Sequence, residues 1–194
     1  NLISQEIQDT IASQPFPFCL AHPIDPELGP EPLGDANDFA AEWKWDGIRG
    51  QIIQRAKEVF IWSRGEELVT EKFPELVEFS QNLPNGTVLD GEIIAYQDGN
   101  PLPFSLLQTR IGRKSVSKKL MLDAPVGFIC YDVLEFEGKD VREQSMLERR
   151  KILEQIDKEI AASNFQISPF VEVQSWKEAA ILQKTSRSML AEGF

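Results

Sequence analysis

Lys44 stands in the run Glu42-Trp43-Lys44-Trp45-Asp46-Gly47-Ile48-Arg49, which places an amine between two carboxylates and follows it with an Asp-Gly step and an arginine. An amine is a nucleophile only after it loses its proton. A free lysine, with a pKa of about 10.4, is nearly all ammonium at neutral pH. The neighbouring residues are of types that promote the loss: two tryptophans can exclude water, while Arg49 and a bound metal can lower the lysine pKa. The flanking carboxylates can hold that metal or orient the amine. The chemistry suggested is covalent catalysis by an amine.

A second set of carboxylates lies in Leu89-Asp90-Gly91-Glu92-Ile93. In an extended strand successive side chains alternate, so Asp90 and Glu92 share a face, as do Glu42, Lys44 and Asp46 wherever their segment is extended. Glu92 is suited to bind a ribose hydroxyl or to hold Mg2+ through water, since hard divalent cations prefer carboxylate oxygen and keep several waters. Asp90 could instead start the bend at Asp-Gly. Tyr131 lies in Phe128-Ile129-Cys130-Tyr131-Asp132-Val133, where simple alternation separates it from Phe128, Cys130 and Asp132.

The chain has 194 residues, 42% of them hydrophobic, enough for a substantial core in one domain with a short leading arm. Its formal charge of −11 opposes long-range attraction to a phosphate backbone. Local distribution matters more for binding, and basic residues gather between Arg110 and Lys119. If the domain does meet DNA, Arg110, Arg113 and Lys114, together with Arg64, are the candidates for phosphate contact. His22 is the single histidine and cannot form a histidine metal cluster or a Ser-His-Asp triad. Cys19 and Cys130 are too isolated for a disulfide scaffold or a zinc site and are expected as thiols in a reducing compartment. No run suits a membrane span or a secretory signal, so no membrane partner and a cytoplasmic location are expected.

The elements that must position these residues can be sketched from periodicity. Leu2-Ile3, Ile7 and Ile11 recur at helical spacing, and a Pro-rich lead-in runs from Pro15 to Gly34. Phe39 to Gln54 reads as a hairpin turning at Asp46-Gly47, and Val59 to Ser63 as a strand. Thr70 is expected to cap a helix through Leu83. Thr87 to Tyr96 and Pro125 to Phe136 are strand-like, with a turn at Asp98-Gly99-Asn100. Glu143 to Ala162 reads as a long helix, and Ser175-Trp176-Lys177-Glu178 as a capping box opening a helix through about Leu190. The class expected is α+β, with antiparallel sheets flanked by helices.

These segments together resemble a known superfamily. Lys44-Trp45-Asp46-Gly47-Ile48-Arg49 fits the nucleotidyl-lysine motif K-x-D-G-x-R shared by ATP-dependent DNA ligases, RNA ligases and mRNA capping enzymes. Ser63-Arg64-Gly65, Leu89-Asp90-Gly91-Glu92-Ile93, Tyr131-Asp132-Val133-Leu134 and Glu192-Gly193 follow in the order the family requires. The combination most resembles a bacterial ATP-dependent DNA ligase, from about Phe18 to the C-terminus, with residues 1–17 as a helix and linker from an upstream domain.

The resemblance implies a nucleotidyltransferase (ATP-grasp-like) adenylation domain over residues 18–194. It also implies ATP and Mg2+ as cofactors, nicked double-stranded DNA as partner, and a nucleoid-associated bacterial enzyme in repair, recombination or replication. Lys44 would carry AMP. Glu42, Arg49, Arg64, Glu92 and Tyr131 would bind the nucleotide, with Tyr131 stacked on the purine and Glu42 near adenine, and Glu92 and Glu192 would hold metal. A further strand with a lysine, a second lysine-bearing motif and an oligonucleotide-binding barrel are expected beyond Phe194, so the sequence reads as a truncated adenylation domain. Two alternatives share some of these residues: an RNA ligase or capping-type nucleotidyltransferase, and a non-catalytic nucleotide or nucleic-acid binding module.

Overall fold

The structure, a computed structural model, describes residues 12–25, 27–113 and 115–194. The expected helix over the first dozen residues and the phosphate candidate Lys114 lie outside the described residues, apart from the helical pair Ala12-Ser13. The chain divides into two units, Asn1–Phe16 with Gly47–Ile167 and Pro17–Asp46 with Ser168–Phe194. The division falls inside the lysine motif, between Asp46 and Gly47.

In the larger unit β3 (Ile48–Arg55), β4 (Glu58–Ser63), β5 (Thr87–Gln97), β7 (Val126–Phe136) and β8 (Lys139–Asp140) pair antiparallel in the order β4-β3-β5-β7-β8. Short β6 (Asn100–Pro101) pairs with β5, and β9 (Phe165–Ile167) runs parallel to β7. The turn from β5 to β6 passes through Asp98 and Gly99, both at positive φ. Alternation sorts the side chains. Ile52, Ile61, Leu89, Ile93, Phe128, Cys130 and Val133 enter the main core. The α-helices described in this unit are, in chain order, α1 (Pro74–Ser80), α2 (Phe104–Ile111), α3 (Lys118–Asp123) and α4 (Met146–Ile160). Of these, α1 contributes Leu76 and Phe79, α2 Leu107, and α4 Leu153 and Ile156.

Two helix expectations shift in this unit. Thr70 caps no helix: its hydroxyl accepts from the Ile61 amide at 2.9 Å, and α1 begins only at Pro74, whose fixed φ suits a first turn. The long helix starts at Met146 rather than Glu143, because Ser145 and Glu148 form a reciprocal capping box there.

The opposite sheet face carries Ile53, Val88 and Leu134 beneath Phe16, Phe60 and Trp62. Residues 12–16 are tied to it through their backbone. Gln51 accepts from Phe16 N at 2.9 Å and donates to Phe16 O at 3.0 Å, while Trp62 Nε1 donates to Ser13 O and Arg55 to Gln14 O. These residues therefore pack with the larger unit.

The smaller unit contains two antiparallel ribbons, β1 (Ala41–Glu42) with β10 (Phe170–Val171), and β2 (Lys44–Trp45) with β11 (Ala191–Gly193). The hairpin expected at Asp46-Gly47 does not form, since β2 pairs with β11 while β3 pairs with β4 and β5. Gly47 serves close approach instead. A Cβ there would overlap the Ile93 carbonyl oxygen and lie 2.8 Å from Glu92 Cγ. Helix α5 (Trp176–Gln183) is capped by Ser175, which accepts from Glu178 N; Glu178 turns to the amide of Gln174, so the box expected there is only half made. This helix ends before Leu190, with a separate 3-10 turn at Ser186–Met189. Among the described residues no helix is long and apolar enough to cross a membrane.

Candidate functional site

In the larger unit the candidate residues collect on the sheet face away from the helices. Arg49 lies opposite Glu92 in the β3–β5 ladder and Gln51 opposite Asp90, so one row of the face is charged. Arg49 Nε stands 2.7 Å from Asp90 Oδ1. Its guanidinium carbon lies 4.5 Å from the centre of the Tyr131 ring, within cation–π range. Burial works against the Arg49 charge, but Asp90, with Tyr131 and Glu92 in support, holds its pKa above the ordinary value. Burial raises the Asp90 carboxyl, and Arg49 only partly offsets this. Asp90 therefore anchors Arg49 rather than merely starting a bend. Glu92 is also buried, at 8% exposure.

The third strand of the row contains an irregularity that determines where Tyr131 points. Asp90 pairs with Asp132 and Gly91 with Cys130, so one step along β5 matches two along β7 and Tyr131 is the extra residue of a bulge. Simple alternation fails there, and the expected separation of Tyr131 from Asp132 is corrected: Asp132 lies near enough to Asp90 to help raise its pKa, while Tyr131 meets Arg49. Gly91 permits the crossing, because a Cβ there would lie 2.7 Å from the Phe128 ring. Cys130 beneath it is fully buried, and that burial, with Asp90 and Asp132 nearby, pushes its thiol pKa well up.

In the smaller unit Lys44 and Glu192 form an ion pair across the β2–β11 ribbon, where Lys44 is opposite Gly193. Both side chains are about half exposed, at 52% and 50%. Alternation buries Trp43 and Trp45 on the other side, with Trp43 stacked on Phe194 at 4.5 Å and the Trp45 indole donating to Ser168 Oγ. Glu42, half-buried in β1, lies opposite Phe170.

Glu192 in this unit and Glu92 in the other are each oxygen donors of the type a hard divalent cation prefers, whereas Asp90 and Asp132 are engaged by Arg49 and Arg149. Among the described residues no three His, Cys, Asp or Glu side chains are grouped to hold a metal. An ion accepted by these donors would take one or two carboxylates and complete its shell with water or ligand phosphate.

The basic candidates fare differently. Arg64 and Arg113 are exposed, and the Arg64 amide donates to Arg49 O at 2.9 Å, which fixes Arg64 beside the end of the charged row. Arg110 is a correction: it is fully buried, ion-paired with Glu75, and donates to the carbonyls of Lys72 and Ala124. It cannot reach a phosphate outside the protein. Arg149, which sequence reading missed, grips Asp132 with two hydrogen bonds at 2.8 and 2.9 Å. Its only sequence signal was its place in a charged helix.

Comparison with known proteins adds an independent finding. Residues 30–194 match the family model described as ATP dependent DNA ligase domain. The chain is 35% identical over 155 residues to the "Probable DNA ligase" of Koribacter versatilis, covering 80% of this chain and 27% of that protein. It is 31% identical over 179 residues to the "Probable DNA ligase" of Sorangium cellulosum, covering 88% of this chain and 34% of that protein. The chain thus spans about a third or less of the curated relatives it matches. Among solved structures, a mycobacterial DNA ligase D complexed with ATP and MES superposes with a TM-score of 0.62 at 26% identity, covering 82% of this chain and 48% of that one. Chlorella virus DNA ligase-adenylate, at 16% identity, TM-score 0.51 and coverage of 82% and 55%, shares the fold.

Proposed function

Because this chain belongs to the ATP-dependent DNA ligase domain family, we propose that it is an adenylation domain whose Lys44 takes AMP from ATP and passes it to the 5′-phosphate of nicked DNA. The observation that carries the reading is the Lys44–Glu192 pair. Two segments far apart in sequence, each matched to the family, deliver a nucleophile and a carboxylate to the same point.

The unprotonated Lys44 amine attacks the α-phosphorus. An N–P bond forms, the P–O bond to pyrophosphate breaks with its electron pair leaving on pyrophosphate, and the nitrogen of half-exposed Lys44 gives up a proton to solvent. The product is a lysine-AMP phosphoramidate. Glu192 orients the amine before the attack. Arg49 and Arg64 stabilise charge on the ribose-phosphate portion, Glu92 binds a ribose hydroxyl, Glu42 contacts adenine and Tyr131 stacks on the purine. Glu92 or Glu192 would hold magnesium, which would supply neutralisation of phosphate charge. A 5′-phosphate oxygen of the DNA then attacks the AMP phosphorus as the N–P bond breaks and lysine leaves with a proton, and a 3′-hydroxyl attacks the 5′-phosphorus, losing its proton as AMP departs, to close the break.

In the whole protein, DNA-binding and oligonucleotide-binding-fold domains outside this chain would grip the duplex. The length of the relatives supports this, and it answers the difficulty of the −11 charge. We place the enzyme at the bacterial nucleoid, in repair, recombination or replication. Incubation of the full-length protein with ATP, GTP or NAD, each labelled in the transferable nucleotide, tests the reading. Covalent label from ATP alone is expected. Label from GTP would indicate capping-type chemistry, and label from none would overturn catalysis by Lys44.

A further inference from the structure

The Tyr131 bulge is held from outside the sheet. Asp132, the next residue, turns Oδ1 back onto the Val133 amide at 2.9 Å, and both its carboxylate oxygens are taken by Arg149. Arg149 occupies the first turn of α4, whose start is fixed by the Ser145–Glu148 box. Its remaining terminal nitrogen donates to the carbonyls of Arg142 at 3.3 Å and Gln144 at 2.5 Å. Each guanidinium nitrogen therefore has a protein acceptor, which does not suit a phosphate-binding arginine. It suits a clamp. The side chains of Arg149 and Asp132 are only 17% and 29% exposed, so water competes weakly with the fork-to-carboxylate grip.

A bulge re-aims one side chain, and the residue beside the re-aimed Tyr131 is Asp132, the carboxylate that Arg149 grips. We propose that Arg149 is a positioning residue for the nucleotide base: through Asp132 it holds the bulge that directs the Tyr131 ring. This rests on the reading that Tyr131 stacks on the purine. Lysine would keep the charge but lose the planar two-pronged grip.

The test measures binding of ATP and of inorganic tripolyphosphate, which lacks a base, to the full chain and its variants, with a thermal melt of each. Arg149→Lys is expected to weaken ATP about five- to tenfold, a part of what a stacked base contributes. Tripolyphosphate affinity and the melt should stay close to wild type. In a Tyr131→Ala background Arg149→Lys should add nothing further. Equal loss for both ligands, or additive loss in the double variant, would overturn the positioning role. If Tyr131→Ala alone binds ATP like wild type, the stacking reading itself fails, and this inference with it. Should Arg149→Lys not fold, Asp132→Asn, which keeps the turn onto Val133 and weakens the grip, is read by the same criteria.

Discussion

The guanidinium of Arg49 stands over the ring of Tyr131, 4.5 Å from its centre, while its Nε pairs with Asp90. The last residue of the lysine motif thus reaches the aromatic of a segment far along the chain. The arrangement includes a buried pair that can be broken on purpose.

Arg49→Gln leaves the Asp90 carboxylate, only 4% exposed, without its cation. The folded-state pKa of Asp90, already raised by burial, then rises further. A raised carboxyl binds a proton more readily folded than unfolded, so its cost appears as pH climbs through the window from the unfolded value to the folded one. Urea melts should show the variant less stable by roughly 3 kcal/mol near pH 8 and by clearly less near pH 5. An equal deficit at both would show that Asp90 does not depend on Arg49 for its charge.

Tyr131→Ala should weaken ATP binding about tenfold or more, and Tyr131→Phe much less, because stacking uses the ring and not the hydroxyl. Calorimetric titration separates them. Equal losses would assign the hydroxyl a structural bond and remove the stacking role.

Arg110→Met should lower stability by about 3 kcal/mol by stranding Glu75, with no specific effect on DNA affinity of the folded fraction. Arg113→Ala, at an exposed site, should do the reverse in a salt-dependent binding assay. DNA affinity falling with Arg110→Met at unchanged stability would mean that the side chain reaches solvent.

These outcomes reflect what the residues could and could not announce. Strands β4, β5 and β7 were legible because apolar and β-branched runs persist through them, and the shared face of Asp90 and Glu92 because alternation holds along that part of β5. Partner choice was not legible: nothing local to Asp46-Gly47 reveals that β2 takes a strand near residue 192. The aim of Tyr131 was hidden because alternation presumes an unbroken ladder, and a bulge has no sequence mark of its own. Arg110 sits in a basic run that looks solvated, but its carboxylate partner Glu75 lies 35 positions away. Arg149 was concealed the same way, one arginine among several in a charged helix.

The two thiols should differ sharply. Cys19 is exposed and Cys130 buried with its pKa pushed well up, so brief alkylation near neutral pH should modify Cys19 alone. Mass spectrometry reads the sites, and Cys130 should become reactive only when urea opens the sheet. Native labelling of Cys130 would mean that the strand beneath Tyr131 is open to solvent.

The central claim is that Lys44 becomes covalently joined to AMP. The direct measurement is incubation with magnesium-ATP labelled at the α-phosphate, followed by peptide mapping at neutral to alkaline pH, in wild type and in Lys44→Ala. The expected result is a single adenylylated peptide containing Lys44, whose label is released by acid as a phosphoramidate should be, and no label on the alanine variant despite a wild-type melt. Label that persists in Lys44→Ala, or that maps to another residue, would contradict the assignment.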